Sequence, residues 1–312
     1  MSKISSLWSL VMAGTLWGTG GLTGSLLARR TGLVAPAVAT YRLGLGGLLL
    51  ILFFLFSRRP LARGRHAWTR VAILGVLAAE FQATYFAAVE RVSVSLATLL
   101  TIGASPLLVL AFESASGRRR LTPRTLVTVL LALTGLTLLV GVPEGQRDLP
   151  TLLAGAGFAL LAAAGFATLT LVGSRPVGNL DDLAGAGLAF TLGAALLIPF
   201  ASAAGGLTFT PTRSGLGLLF LLGVGPTAIA YAAYFRGLRG AQPATAALMA
   251  LLEPLVGTAL SVVLLGDRLA PAGWAGAALL IVALVLESRR ARAGTPETVA
   301  GPGRKARFIR TG

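Results

Sequence analysis

Apolar residues recur along the chain in ten blocks, near 7–27, 34–56, 68–89, 93–113, 122–141, 150–172, 182–201, 214–235, 244–265 and 270–287. A helix needs about 20 such residues to cross roughly 30 Å of hydrocarbon. The polar stretches between the blocks are short. The pattern predicts an all-α polytopic membrane protein with ten transmembrane helices. The first block follows Lys3. It is too long for a removable signal peptide and lacks a small-x-small cleavage site, so it reads as the first span. Residues 288–312 are rich in Gly, Pro and Arg and read as a basic disordered tail.

Composition agrees with this reading. Of 312 residues, 55% are hydrophobic and 12% charged, with a mean hydropathy of +0.81. A soluble domain carries about 25% charged residues. The net charge of +16 raises the question of nucleic acid. The basic residues lie in short loops and the tail, however, as topology determinants do, so no nucleic-acid partner is expected. With the N-terminus placed inside, 20 of the 27 Lys and Arg fall on the inner side and six on the outer, with Arg42 inside a helix. That imbalance predicts a multi-pass protein of the cytoplasmic (inner) membrane with both termini cytoplasmic. Cysteine is absent, and the single histidine, His66, sits in an arginine-rich loop. No metal cluster, nucleophile–histidine pair or phosphate loop is visible. No metal, cofactor or enzymatic role is expected.

The chain also repeats itself. Tyr85-Phe86 aligns with Tyr234-Phe235, and one residue of slippage later Ser105-Pro106 aligns with Glu253-Pro254. Arg120-Leu121-Thr122-Pro123 then falls over Arg268-Leu269-Ala270-Pro271, and Trp17 over Phe166. The unit is five helices. An odd number puts the second copy into the membrane upside down. The charges follow: Arg118-Arg119-Arg120 in the first copy stands against Gly266-Asp267-Arg268 in the second. The expected organisation is a first repeat over 1–143, an inverted second repeat over 144–287 and a tail over 288–312. Inverted repeats commonly place a transport site at mid-membrane between the copies.

The candidate chemistry sits at that depth. Glu253 lies halfway along its helix, directly before Pro254. A mid-membrane charge costs about 2.5–3.5 kcal/mol on insertion scales, and proline removes a backbone donor. Ala246, Ala250, Glu253, Gly257 and Ser261 share one face at helical spacing, while Thr245 and Thr258 fall off it. Glu253 is either a substrate or proton contact or a cap for backbone groups freed at the kink. Glu80 lies at a similar depth, with Gln82, Thr84 and Tyr85 beside it. Either acid could carry a proton, or each could be neutral and hydrogen-bonded. Arg42 snorkels outward, pairs with an acid or receives an anion. Trp17, Tyr85, Tyr231 and Tyr234 line a cavity or pack. Gly14 and Gly18 permit close helix approach. Pro106 and Pro254 are expected to break helices 4 and 9, and Ser105 is the counterpart of Glu253. Trp8, Trp68 and Trp274 read as interfacial anchors.

At these residues the chain resembles the EamA-type transporters of the drug/metabolite transporter superfamily. The resemblance rests on Leu16-Trp17-Gly18, on Pro36 with Arg42, and on the string from Leu252 to Leu269 followed by a Pro-initiated helix. Asp267 stands where that family usually has Glu, and Arg119 where it often has an acid. The resemblance implies alternating access around a cavity lined mainly by helices 1, 3, 4, 6, 8 and 9. It implies export or exchange of amino acids or related small metabolites, and with the two acids the whole reads as a secondary transporter with protons as a potential partner. Rival readings are an organic-anion or sugar-phosphate exchanger, which would want more buried cations, and a non-transporting membrane scaffold. The sequence sets neither substrate identity nor oligomeric state.

Overall fold

The computed structural model describes residues 2–57, 62–141, 148–178 and 180–293. Arg58, Arg59, Arg147 and the tail beyond Ala293 lie outside them, and so does the 143/144 boundary. The described residues form ten helical segments: α1 (Lys3–Thr31), α2 (Ala35–Phe56), α3 (Arg65–Arg91), α4 (Val94–Ala115), α5 (Pro123–Val140), α6 (Leu149–Gly173), α7 (Asp182–Ala204), α8 (Arg213–Leu238), α9 (Pro243–Leu265) and α10 (Pro271–Ala293). Nine of them, α2 to α10, are long and apolar enough to cross a membrane. α1 is 29 residues long, but its glycines, serines and threonines dilute its apolar character. It packs against α8 and α9 inside the bundle. A helix covered by protein has less need of a lipid-compatible surface.

Sequence punctuation sets the ends. Ser2, Ser93, Thr122, Asp148, Asp181 and Thr212 each accept a backbone N–H in the first turn of the following helix. Such caps satisfy donors a helix start leaves open. Gly32 closes α1 in the left-handed conformation that glycine adopts at least cost. α10 continues to Ala293, past the expected end at 287, so the first residues assigned to the tail are helical.

The helices alternate in direction. One end of the bundle, here the near end, carries Lys3, the α4–α5 turn and Gly240; the other, the far end, carries the α1–α2 turn and Gly215. The packing has an exchange pattern. α3 lies on α6 as α8 lies on α1, α4 lies on α6 as α9 lies on α1, α2 pairs with α7 and α5 with α10. Gly14 and Gly18 allow the α1–α9 contact. A Cβ on Gly14 would sit 2.6 Å from the Met249 carbonyl oxygen, and one on Gly18 would sit 2.6 Å from Val256 Cβ.

Two helices in the second half depart from regular α geometry. α8 has a π turn over Val224–Ile229 containing Pro226. Pro226 has no N–H for the Leu222 carbonyl, and the Thr227 hydroxyl donates to it instead at 2.9 Å. α9 is interrupted at Ala250–Leu251 and ends in a π turn over Ser261–Leu265. Pro254 leaves the Ala250 carbonyl without its usual partner, and the Glu253 N–H takes it at 2.9 Å in a tightened turn. α4 continues as one helix through Pro106, so the break expected there is absent.

Candidate functional site

A cavity of about 890 Å³ enters the bundle. Its walls include Ala28, Ala35, Val94, Val140 and Arg268, all at far helix ends, so it reaches the far surface. Its floor is aromatic. Trp17 at the middle of α1 lies 5.9 Å from Phe166 of α6 and 5.0 Å from Tyr231 of α8, ring centre to ring centre. Such edge-on contacts add to the burial of large rings. From Trp17 to the end of α1 is 14 residues, or roughly 20 Å of helix, so the cavity stops near mid-bundle.

Most of the expected site residues line this one space: Trp17, Arg42, Gln82, Tyr85, Ser105, Glu253, Pro254 and Gly257. Glu253 is half-buried and faces it from α9, just beyond the interruption. Arg42 faces it from α2, about two turns below the far end, and its buried Nε has no hydrogen-bond partner among the described residues. Among the described residues neither takes part in an ion pair. A carboxylate and a guanidinium thus share one cavity without forming an ion pair. Tyr85 pairs with Thr98 at 2.8 Å on the wall. Ser105 donates to its own helix at Thr101 O, 2.6 Å away. Asp267 and Arg268 stand at the rim.

Two expected residues are elsewhere. Glu80 is not on the cavity wall. Its carboxylate lies against Gly165 of α6, with the Thr84 hydroxyl 3.4 Å from Oε1 and no partner for buried Oε2. Residues two apart on a helix point about 200° apart, so Gln82 and Glu80 cannot both face one cavity. Tyr234 is 1% exposed beneath the floor, bonded to Thr170 at 2.7 Å. Tyr231, one turn away, lines the cavity in its place. Thr258, set off the expected stripe, also lines it, as do Phe81 and Phe166. The sequence pointed to Phe166 only as the counterpart of Trp17, and to Thr258 not at all.

The chain matches the EamA-like transporter family over residues 4–141 and again over 153–289. It belongs to the EamA-like transporter family. It is 30% identical to transporter YwfM of Bacillus subtilis (strain 168), itself uncharacterized, over 93% of this chain and 95% of that one. It is 27% identical to inner membrane transporter YicL of Salmonella typhimurium (strain LT2), likewise uncharacterized, over 94% of this chain and 99% of that one. A protein of known crystal structure shares the fold, with a TM-score of 0.77 at 21% identity over 91% of this chain and 98% of that one. The protein is a multi-pass membrane protein of a transporter family.

In this EamA-family protein the near end is closed. Below Tyr234 the guanidinium of Arg70 donates to the Gly173 and Arg175 carbonyls, the former at 2.9 Å, and lies 3.9 Å from Asp182. Arg239 also bonds Asp182, and that bond holds the Arg239 guanidinium above its usual pKa. On the other side, Glu113 of α4 accepts from the Ala244 N–H at 3.1 Å, and Glu287 of α10 accepts from Thr245 at 2.5 Å. Two carboxylates therefore pin the start of α9, ten residues below Glu253.

Proposed function

We propose that this protein is a secondary transporter that moves a small amphoteric metabolite, an amino acid or related compound, by alternating access. The observation that carries the reading is the shared cavity of Glu253 and Arg42. Glu253 receives the substrate amine or a proton, Arg42 receives the carboxylate, and the aromatic floor meets the side chain. Export is the direction the family resemblance favours.

The architecture behind the proposal is ten spans in two inverted five-helix repeats, meeting between residues 143 and 144. The exchange pattern of helix packing supports it, because each contact recurs when every helix is replaced by the one five places along. End-to-end α1 supplies the tenth span. Both termini are assigned to the cytoplasm of the cell whose inner membrane holds the protein, so the near end is inside. The cavity then faces outward, with the near end as the closed gate. In the alternate state the halves rock, the near-end contacts part and the far ends close.

A rival, an organic-anion or sugar-phosphate exchanger, gains support from the unpartnered Nε of Arg42 and from Arg268 at the rim. Glu253 and Asp267 balance those cations, which disfavours a polyanion. Counterflow of labelled amino acids and of sugar phosphates into proteoliposomes separates the two. Loss of a hydrogen bond to a charged group costs about 1.5–3 kcal/mol, roughly ten- to a hundredfold in affinity. Glu253→Gln and Arg42→Gln are each expected to weaken amino-acid counterflow by that factor, and Glu80→Gln to leave it near wild type. Wild-type counterflow in both cavity variants overturns the assignment, and flux of sugar phosphate alone selects the rival.

A further inference from the structure

The near end holds a second, smaller cavity, separate from the transport pathway, of about 120 Å³. It lies where the start of α1, the α4–α5 turn, the α8–α9 turn and the end of α10 come together. Lys3, Arg119 and Arg290 surround it together with one acid, Glu287. Arg119 is 3% exposed, yet among the described residues only one of its three guanidinium nitrogens has a partner. That nitrogen lies 3.4 Å from Glu287 Oε1, while Nε and the other terminal nitrogen have no acceptor. Glu287 is 1% exposed, and its Oε2 is equally without a donor. Buried groups left in this state are expensive, and charged ones most of all. Here two cationic donors and one acceptor are unsatisfied around a single space.

We infer that this space is a binding site for a phosphate group carrying one hydrogen-bond donor. An oxyanion accepts a charge-assisted hydrogen bond from an open nitrogen of Arg119. The Lys3 ammonium, exposed at the mouth, adds charge. An O–H or N–H on the ligand satisfies Glu287 Oε2. Of the charges on its wall the cations outnumber the one carboxylate, which favours an anion. Its volume exceeds what a single water fills. The chemistry fits the headgroup of a phospholipid such as phosphatidylglycerol or phosphatidylethanolamine, since the site lies at helix ends where such headgroups sit. It fits free hydrogen phosphate equally. The ligand would tie α1, α10 and the α4–α5 turn together at the closed end. The inference stands on the unsatisfied groups and does not require the transport reading.

The test uses the full chain, purified in neutral detergent and stripped of lipid. Thermal unfolding is followed with sodium phosphate against sodium chloride at matched ionic strength, since a ligand of the folded state raises its stability. Native mass spectrometry is run with phosphatidylglycerol, phosphatidylethanolamine and a neutral diacylglycerol. Wild type is expected to show saturable phosphate stabilisation, retention of one phospholipid over diacylglycerol, or both, with more than a tenfold loss in Arg119→Gln. Stabilisation by phosphate without lipid retention assigns a free anion, and lipid retention alone assigns a headgroup. Should Arg119→Gln fail to fold, Lys3→Gln at the exposed start of α1 decides, with a severalfold loss expected. Absence of both responses in wild type, or wild-type binding in the folded variants, overturns the site.

Discussion

Helices α4 and α9 carry a proline at corresponding positions, and they respond differently. α4 runs on through Pro106, buried against α6, with Ser105 and Thr101 bonding to Thr101 O and Ala159 O. α9 breaks its regular ladder at Ala250–Leu251 and winds wide again at Ser261–Leu265. The residue before the proline differs too: serine in α4, a carboxylate facing the cavity in α9. A proline alone therefore does not make a break. Both helices line the cavity with their outer halves, and the interrupted one is the one whose backbone lies against glycines of α1. The half carrying the charge also carries the irregular backbone. Irregular turns of this kind recur at functional sites.

The largest expected effect comes from closing the space that lets α9 approach α1. Gly18→Leu drives a side chain into Val256 and the Glu253 carbonyl. Overpacking costs about 1–3 kcal/mol, and here backbone is among the clashing atoms, so a cost at the upper end and loss of flux are expected. Gly157→Ala in α6, with nothing within 4 Å, is the control and should leave unfolding temperature unchanged or raise it slightly, since alanine is the better helix former. Next in size is Pro254→Ala, which returns a donor to the Ala250 carbonyl. It should raise thermal stability and slow counterflow several-fold, whereas Pro106→Ala should alter flux little. Equal effects on flux would erase the contrast between α4 and α9. Thr227→Val removes the hydroxyl that serves the Leu222 carbonyl at the π turn of α8, and a cost of about 1 kcal/mol in chemical denaturation is expected. The smallest change belongs to Thr258→Val on the cavity wall, with less than about 0.5 kcal/mol in stability, as for solvated positions. A larger loss there would mean that the hydroxyl is not hydrated.

Much of this organisation was legible in the sequence. The apolar blocks fall on the observed helices. The arginine and proline punctuation marks their ends, and Trp8, Trp68 and Trp274 are exposed on the bundle surface near helix ends. Depth along a helix was readable too, which is why Glu253, Arg42, Trp17 and Gln82 meet in one cavity. Direction around a helix was less so. Glu80 was placed by depth alone, yet a two-residue offset from Gln82 turns it away, toward Gly165. Thr258 was excluded by drawing a narrow stripe, whereas the cavity covers a wider arc of the helix and takes in Pro254, Thr258 and Val262 beside Glu253, Gly257 and Ser261. Pairing at the near end was not readable either. Arg119 looked like a topology charge, and its contact with Glu287 spans 168 positions.

The aromatic floor also decides where a membrane potential falls. Filled with water, the far cavity would hold the space around Glu253 close to the potential of the solution it opens to. The drop is therefore concentrated across the thin layer of Trp17, Phe166 and Tyr231 and the packed near end below it. Carrying one elementary charge through that layer involves about 2.3 kcal/mol per 100 mV. A substrate with balanced charges crosses with no such term, while one bearing a net charge, or a proton on Glu253, makes each turnover electrical.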